Sequence, residues 1–422
     1  MQHLSRSAPK KFTSFYYGWV IVALAGLGVF FSGPGQTYSV SVFINSYIED
    51  FGWTRSLVSG IYSFATLSAG LLLFIIGRLV DRFGQRVMMA GVGLMLAVAC
   101  FWNSVVIGPI MLFVGFFMLR LFGQGSMTLV PNTLVPQWFI QKRGRAMSVM
   151  LVGTFVSSAA FPPLSAWMID TWGWPVAWRV WGVLLCVIFV PLVLLFVRNR
   201  PEDIGLLPDN ASNLRGSEKE GPETQLYEEN WTLKEATRTR SFWLVLLCVA
   251  IPAMVNTGVT FHLVSILGRK GIEPTTAAFV LSLMAIVGFP MTFFAGYVVD
   301  RFKVHRVLGW SFIGQLGFLI LLIFVHSVTM AMVFGVIWGL VNGMERITLN
   351  VVWPDYFGRK HLGSIKGFAT TFIVIGSAFG PLPFGVAFDL FHGYTEILIV
   401  MMIFPIIGCI SAFISPPPER NS

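Results

Sequence analysis

Three charged side chains stand inside long apolar stretches of this 422-residue sequence. Arg120 lies in FVGFFMLRLFGQGS, and Glu345 and Arg346 are neighbours in GLVNGMERITLNVVW. A charge in hydrocarbon costs about 2.5–3.5 kcal/mol on insertion scales, so such residues usually line a polar cavity and carry function. A guanidinium presents a planar fork of donors that suits a carboxylate or a phosphate. Two such groups could hold an anion from both sides, and the alternative is that each is satisfied by protein groups or water alone.

Glu345 could exchange a proton, because burial favours the neutral carboxylic acid whereas a nearby guanidinium favours the carboxylate. Neighbouring helical residues point about 100° apart, so Glu345 and Arg346 do not simply face each other. We expect one of them to face a cavity; the alternative is a permanent structural ion pair. His262 is a second candidate for proton transfer, since histidine titrates near neutral pH, and a hydrogen-bonded structural role is its alternative.

Uncharged polar residues accompany these charges. Gln36 and Tyr38 follow Ser32-Gly-Pro-Gly35, which should break the first apolar stretch in its middle. Broken helices often border binding sites in membranes, because the freed backbone groups need partners. Asn256 follows Pro252 at the corresponding place in the second half of the chain. We therefore expect these three polar residues to complete a binding site with the two arginines.

The composition indicates which elements position these residues. Hydrophobic residues make up 55% of the sequence and charged residues only 12%, against about 25% charged in soluble domains. The mean hydropathy is +0.74. A membrane-spanning helix needs about 20 apolar residues, and no cleavable signal precedes the first apolar run. The sequence therefore predicts an all-α integral membrane protein with twelve spans: 16–42, 55–79, 86–106, 108–136, 144–169, 176–197, 242–267, 275–299, 306–326, 328–353, 363–388 and 394–415.

The twelve spans divide into two bundles of six. Residues 1–198 form the first, residues 241–422 the second, and the charged, proline-bearing segment 199–240 is a water-facing linker. Thr232 and Glu235 fit a capping box, which predicts a short surface helix before the seventh span. Most of the 29 lysines and arginines fall on the side of the linker and both termini, so we expect this side to be cytoplasmic.

The two halves repeat. GRLVDRFGQR (77–86) and GYVVDRFKVHR (296–306) match at an offset of 219 residues. VPNTLVPQWF (130–139) and ITLNVVWPDYF (347–357) share Asn132 and Asn350 at an offset of 218, and because this pair repeats, a structural role is favoured for it. Such repeats predict bundles related by a pseudo-two-fold axis along the membrane normal, with a site between them near mid-depth.

These motifs resemble the major facilitator superfamily. Gly77-x-x-x-Asp81-Arg82-x-Gly84-x-Arg86 is similar to its loop signature, and a looser copy lies between the eighth and ninth spans. The resemblance implies alternating access and a cavity lined by spans one, four, seven and ten. It also implies that Asp81 helps to latch the inner side shut, whereas a solvated loop with topology-setting charge is the alternative. The gating candidates are Asp81, Arg82, Arg86 and Arg145, with Asp300 and Arg301 in the second-half copy.

A narrower resemblance is to the monocarboxylate transporter family and its bacterial relatives, including oxalate/formate exchangers. It is carried by Tyr17-Gly18-Trp19, WFIQKRGRAMS (138–148), RPEDIGLLPD (200–209), TRTRSFW (237–243) and His262-Leu-Val. Vertebrate-type members carry a lysine in the first span and an Asp/Arg pair in the eighth, and both are absent here. The resemblance implies an organic-anion substrate, but the carboxylate must be held by other residues.

These observations predict a monomeric secondary transporter for a small organic anion, a mono- or dicarboxylate, working by proton symport or anion exchange in a bacterial inner membrane. The alternative is an exporter of hydrophobic or cationic compounds by proton antiport; a transporter-like sensor would need a signalling appendage. No GxxxxGK[ST] motif indicates ATP binding, and no metal, cofactor, nucleic-acid or catalytic pattern is expected. The net charge of +9 lies in clusters at span ends, and the four cysteines lie in apolar runs as free thiols.

Overall fold

The chain is a bundle of helices that cross the membrane twelve times. The computed structural model describes residues 16–139, 142–207, 231–358 and 362–418, and all regular elements in these ranges are helical. Twelve helices or helix pairs are long and apolar enough to span a bilayer, which confirms the predicted number. The α-helices are α1 Gly18–Phe31, α2 Thr37–Phe51, α3 Arg55–Phe83, α4 Gln85–Asn103, α5 Pro109–Met118, α6 Met127–Trp138, α7 Arg143–Trp172, α8 Trp174–Leu184, α9 Val190–Phe196, α10 Leu233–Ala236, α11 Arg240–Gly268, α12 Pro274–Arg301, α13 Val304–Phe324, α14 Val328–Phe357, α15 Leu362–Phe379, α16 Pro381–Phe391, α17 Thr395–Met401 and α18 Ile403–Phe413.

Four spans are built from helix pairs: α1 with α2, α5 with α6, α8 with α9, and α15 with α16, and α17 with α18 form the twelfth. The first span breaks where the sequence predicted, because Gly33–Gly35 form one 3-10 turn and Gln36 is extended. The span continues to Phe51, nine residues past its expected end. It stops there because Gly52, at φ +64, ends the helix in the left-handed conformation that glycine tolerates best.

The fourth span contains a π-helical segment, Leu119–Ser126, between α5 and α6. A π turn accommodates one extra residue in a helix. The fourth and tenth spans begin at Pro109 and Val328, 219 residues apart, yet the repeat mates Asn132 and Asn350 are 218 apart. The first-half helix therefore carries one residue more than its counterpart, and the π segment absorbs it.

The spans form two bundles with their own apolar cores. One core lies almost wholly within residues 16–207, and the second bundle holds two adjoining cores. The bundles meet where the second span packs on the eleventh and the fifth on the eighth. At mid-depth the rings of Phe155 and Phe289 are 4.3 Å apart.

We call the membrane side at which α9 ends and α10 begins the linker side, and the opposite side the far side. The short helix α10 begins on the linker side with a capping box: Thr232 accepts from the backbone N–H of Glu235, and the Glu235 carboxylate accepts from that of Thr232. The cap satisfies backbone donors that a four-residue helix cannot satisfy internally.

Candidate functional site

A polar cavity of about 380 Å³ lies between α11, α14 and α15, from mid-depth towards the linker side. Its described lining includes the charged residues Glu345, Arg346 and Lys366 and the amides of Asn256, Asn342 and Asn350. Such a concave site with a few convergent polar groups is the usual setting for a small ligand. We call it the polar cavity.

Arg346 keeps its guanidinium open to this cavity. The residue is exposed, and its guanidinium carbon lies 5.3 Å from the ring centre of Phe155, which belongs to the other bundle. In the described part of the chain this guanidinium forms no hydrogen bond or ion pair. Tyr38, in α2, lies within electrostatic range of it, and its hydroxyl is 2.8 Å from Ser157 Oγ. A charged donor fork therefore faces the boundary between the bundles with its hydrogen-bonding capacity unused.

Glu345 points away from Arg346 and is only 3% exposed. Its Oε2 accepts a hydrogen bond from Asn256 Nδ2 at 3.1 Å, and its buried Oε1 has no hydrogen-bond partner among the described residues. Trp338 Nε1 donates to Asn256 Oδ1 at 2.9 Å, which fixes the amide with its donor side towards the carboxyl group. The carboxyl group is thus held by one neutral donor and not by a cation.

Arg120 lies within the π segment and is only 4% exposed. Its Nη1 donates to the carbonyl oxygen of Gly35 at 3.3 Å and to Thr37 Oγ1 at 3.2 Å. Its guanidinium carbon also lies 5.0 Å from the ring centre of Tyr62. These partners belong to the break in the first span and to the second span, so Arg120 satisfies backbone freed by the broken helix. Its Nε is buried without a partner among the described residues.

A second cavity, of about 880 Å³, lies between α3, the fourth span and α15. Its described lining is dominated by leucine, isoleucine, valine, alanine and glycine; Arg120 is the charged member, and Gln124, Thr128 and Asn132 form a polar stripe along the fourth span. We call it the apolar cavity. Thr370 and Ile373 line both cavities, so α15 is their common wall. The two arginines therefore line adjoining cavities and do not share one.

Gln36 and His262 lie apart from both cavities. Gln36 Nε2 donates to Ser32 Oγ at 3.0 Å within the break of the first span. His262 is fully buried towards the far side, where its Nε2 lies 3.2 Å from Ser59 Oγ and 3.0 Å from the carbonyl oxygen of Pro381. It joins spans from both bundles and has no contact with the polar cavity.

The far side is closed by contacts between the bundles. The carboxylate of Asp389, at the end of α16, accepts from the backbone N–H groups of Arg55 at 3.2 Å and Ser56 at 2.8 Å. These groups open α3, so a carboxylate of one bundle caps a 29-residue helix of the other. A Cβ on Gly385 would lie 2.8 Å from the Arg55 carbonyl oxygen, so only glycine permits this approach.

The gating candidates lie on the linker side, where the described side chains make contacts within their own bundles. The guanidinium carbons of Arg82 and Arg301 lie over the rings of Phe83 and Tyr297, at 5.3 and 4.2 Å. The backbone N–H of Arg86 donates to Asn199 Oδ1 at 2.8 Å, and its side chain donates to the carbonyl of Leu194. Arg145 is exposed. Asp81 and Asp300 lie outside the residues whose side chains the structure describes.

Some residues of the site escaped the sequence reasoning. Lys366 lines the polar cavity, although its place beside a predicted span end indicated only a topology-setting charge. Asn342 and Trp338 were hidden in an apolar run, and their spacing of seven and three residues from Glu345 and Asn256's partner face would have been the signal: four residues separate them, which is one helical face. Asp389 appeared only as a repeat mate of Asp170, a pattern that does not reveal the helix it caps.

Comparisons with known proteins agree with this architecture. The family model of the Major Facilitator Superfamily matches residues 19–381 and again residues 264–422. Monocarboxylate transporter 13 of Rattus norvegicus is 25% identical over 403 residues, covering 93% of this chain and 87% of the relative. A multidrug resistance protein B homolog of Mycobacterium tuberculosis is 30% identical over 136 residues, 32% of this chain and 25% of the relative. The crystal structure of a bacterial homolog of the human lysosomal transporter Spinster, inward-facing and occupied, superimposes with a TM-score of 0.74 at 14% identity, covering 96% of this chain and 97% of that one.

Proposed function

Because this chain belongs to the Major Facilitator Superfamily, we propose that it is a secondary transporter that carries a small organic anion, a mono- or dicarboxylate, by alternating access. The observation that carries the proposal is the unpaired guanidinium of Arg346, which faces a cavity at the boundary between the bundles. A carboxylate is the partner that a guanidinium fork binds best, through two parallel charge-assisted hydrogen bonds. The rat relative named a monocarboxylate transporter supports this class of cargo.

Lys366 adds a second positive charge to the lining of the same cavity, one helix away. In a cleft with low-dielectric walls, charges of one sign raise the local concentration of the opposite ion. We propose that Lys366 attracts the anion from the linker side and that Arg346 binds it. Asn256 and Tyr38 lie beside Arg346 and Glu345 and can supply further contacts to the bound anion.

Glu345 is the proposed proton site. It is buried, it lines the same cavity as Arg346 and Lys366, and its only described hydrogen-bond donor is neutral. An uncompensated carboxylate is costly in such a place. When an anion neutralises Arg346, the carboxylate of Glu345 loses nearby positive potential, so proton uptake becomes more favourable. Anion and proton binding then support each other, which is the requirement for symport. Under the alternative, anion exchange, Glu345 keeps one protonation state throughout.

The remaining candidates receive supporting roles in this proposal. Arg120 and Gln36 hold the break of the first span, and His262 stabilises the closed far side. The linker-side charges Asp81, Arg82, Arg86, Arg145, Asp300 and Arg301 would engage one another when the linker side closes. The protein would work as a monomer in a bacterial plasma membrane, with the basic linker side in the cytoplasm.

A second candidate function is export of hydrophobic or cationic compounds by proton antiport. The apolar cavity favours it, since a lipophilic compound would fit its lining. The similarity of one third of the chain to a multidrug resistance protein B homolog points the same way. In that case Glu345 would bind the cation or the proton in turn.

Counterflow in proteoliposomes tests the two functions together. Vesicles containing the purified full-length protein are loaded with mono-, di- or tricarboxylates, or with lipophilic cations, and exchange of the labelled compound is followed at two pH values. We expect exchange of carboxylates and a dependence of net uptake on pH. Exchange of cations without exchange of any carboxylate would overturn the proposal.

A further inference from the structure

We infer that the transported anion is amphipathic, with its carboxylate on Arg346 in the polar cavity and an apolar body in the adjoining apolar cavity. This inference rests on the proposed function, because it assumes a carboxylate at Arg346. It goes further by assigning the larger cavity to the same ligand and thereby naming the class of cargo. Alkyl and aryl monocarboxylates belong to this class, whereas short hydroxy acids and dicarboxylates do not.

The two cavities differ in chemistry. The polar cavity has charged groups and three asparagine amides in its lining. The apolar cavity has more than twice the volume, about 880 against 380 Å³, and Arg120, its charged lining residue, is nearly buried and already bonded to Gly35 and Thr37. An anion seated there alone would leave its water without gaining a free cation, which is unfavourable. The apolar cavity is therefore suited to hydrocarbon and not to a charged head.

The cavities adjoin at α15. Thr370 and Ile373 line both, one helical turn apart, and both side chains are exposed. Neither residue is charged, so an apolar chain can pass along this face without stripping water from an ion. A ligand whose head contacts Arg346 can therefore extend past Ile373 into the apolar cavity.

The size of the ligand follows from the volumes. Cavities that bind drug-sized ligands measure about 300–1,000 Å³, and the apolar cavity alone reaches that range. A two-carbon carboxylate would fill part of the polar cavity and leave the larger one empty. Each methylene moved from water to an apolar site strengthens binding about fourfold, so a longer chain gains affinity until the cavity is full.

Thermal stabilisation of the purified full-length protein by added carboxylates tests this inference, since a ligand that binds the folded state raises the unfolding midpoint in proportion to its affinity. The probes are acetate, butyrate, hexanoate and octanoate, and the dicarboxylates of equal length. We expect apparent affinity to rise about fourfold per methylene along the monocarboxylates and to stay flat along the dicarboxylates, whose second charge would enter the apolar cavity.

Two matched variants of the fourth span locate the effect. Thr128 lines the apolar cavity only, and Thr133 lines neither cavity. Thr128→Phe should reduce the ratio of octanoate to acetate affinity at least tenfold, whereas Thr133→Phe should leave that ratio as in the wild type. Arg346→Ala, which should lose stabilisation by every carboxylate, corrects for any non-specific effect of the longer chains.

The outcomes separate this inference from the function on which it rests. If acetate and octanoate stabilise the protein equally, or if dicarboxylates gain as much with length, the anion proposal stands and the amphipathic cargo is excluded. If no carboxylate of any length stabilises the protein, the proposed function itself fails. A chain-length dependence that survives both Thr128→Phe and Arg346→Ala would place the ligand elsewhere and would also overturn the inference.

Discussion

Arg120 and Arg346 are both arginines at cavity-lining positions of pseudo-equivalent spans, yet their surroundings differ. Arg120 is buried and donates to groups of the broken first span, whereas Arg346 is exposed and keeps its hydrogen-bonding capacity free. The same side chain therefore supports the scaffold in one bundle and is available to a ligand in the other. What distinguishes a binding arginine from a structural one is whether its donors are already used.

The repeat explains why the two halves can differ in this way. Beyond the π segment the offset between the halves is 218 residues, which makes Thr128 the counterpart of Arg346. One half thus presents an uncharged hydroxyl where the other presents a guanidinium, and the adjoining cavities differ accordingly. Similar helices related by a pseudo-two-fold axis can in this way carry opposite ends of one ligand.

The largest effect is expected at Arg346. Arg346→Ala and Arg346→Lys should lower carboxylate uptake about 100-fold, because loss of a desolvated charge partner costs about 2–5 kcal/mol and a lysine cannot form the two parallel bonds. Uptake into proteoliposomes measures this, with reconstituted protein quantified on the same vesicles. Arg306→Lys, an exposed linker-side substitution outside both cavities, is the matched control. Wild-type uptake by Arg346→Lys would end the distinction drawn between the two arginines.

Glu345 should show the next largest effect. Glu345→Gln keeps an acceptor for Asn256 but cannot lose or gain a proton. We expect counterflow exchange to persist within about threefold, while accumulation driven by a pH gradient disappears. Parallel counterflow and gradient-driven uptake measure the two activities, and Glu273→Gln, at the exposed start of α12, serves as control. Gradient-driven accumulation that survives the substitution would assign proton coupling to another group.

Arg120 should affect stability more than ligand affinity. Arg120→Gln removes the donor that satisfies the Gly35 carbonyl and Thr37, and an unsatisfied buried group costs about 1–3 kcal/mol. We expect the thermal unfolding midpoint to fall by about 3–10 °C, given a few degrees per kcal/mol for a bundle of this size. The affinity of the remaining folded protein for octanoate should change less than about threefold. A large loss of affinity with an unchanged midpoint would show that Arg120 binds the ligand as Arg346 does.

Hydropathy and glycine placement made the fold readable before any coordinates. Twelve apolar runs gave the number of spans, and Ser32-Gly-Pro-Gly35 gave the break in the first one, because both depend on local chemistry alone. The span ends were harder, since the first helix continues through Glu49 and Asp50 until a glycine stops it. Hydropathy detects the membrane boundary, and a helix does not have to end there.

The site was readable only in part. The charged residues within spans were visible because a charge in hydrocarbon needs an explanation, and Glu345 and Arg346 do line a cavity. The division of Arg120 and Arg346 between two cavities was not visible, because it depends on which donors the tertiary fold already uses. Lys366 and Asp389 share this difficulty: each acts on a helix far away in the sequence.

The carboxylate cap on α3 bears on the speed of the cycle. Asp389 belongs to one bundle and the capped N–H groups to the other, so the far side cannot open without breaking these two bonds. A helix cap of this kind contributes about 0.5–2 kcal/mol, which corresponds to roughly 2–30-fold in a rate. The turnover number of the transporter therefore includes an activation term set by a residue that never meets its cargo, and that term can change while affinity stays the same.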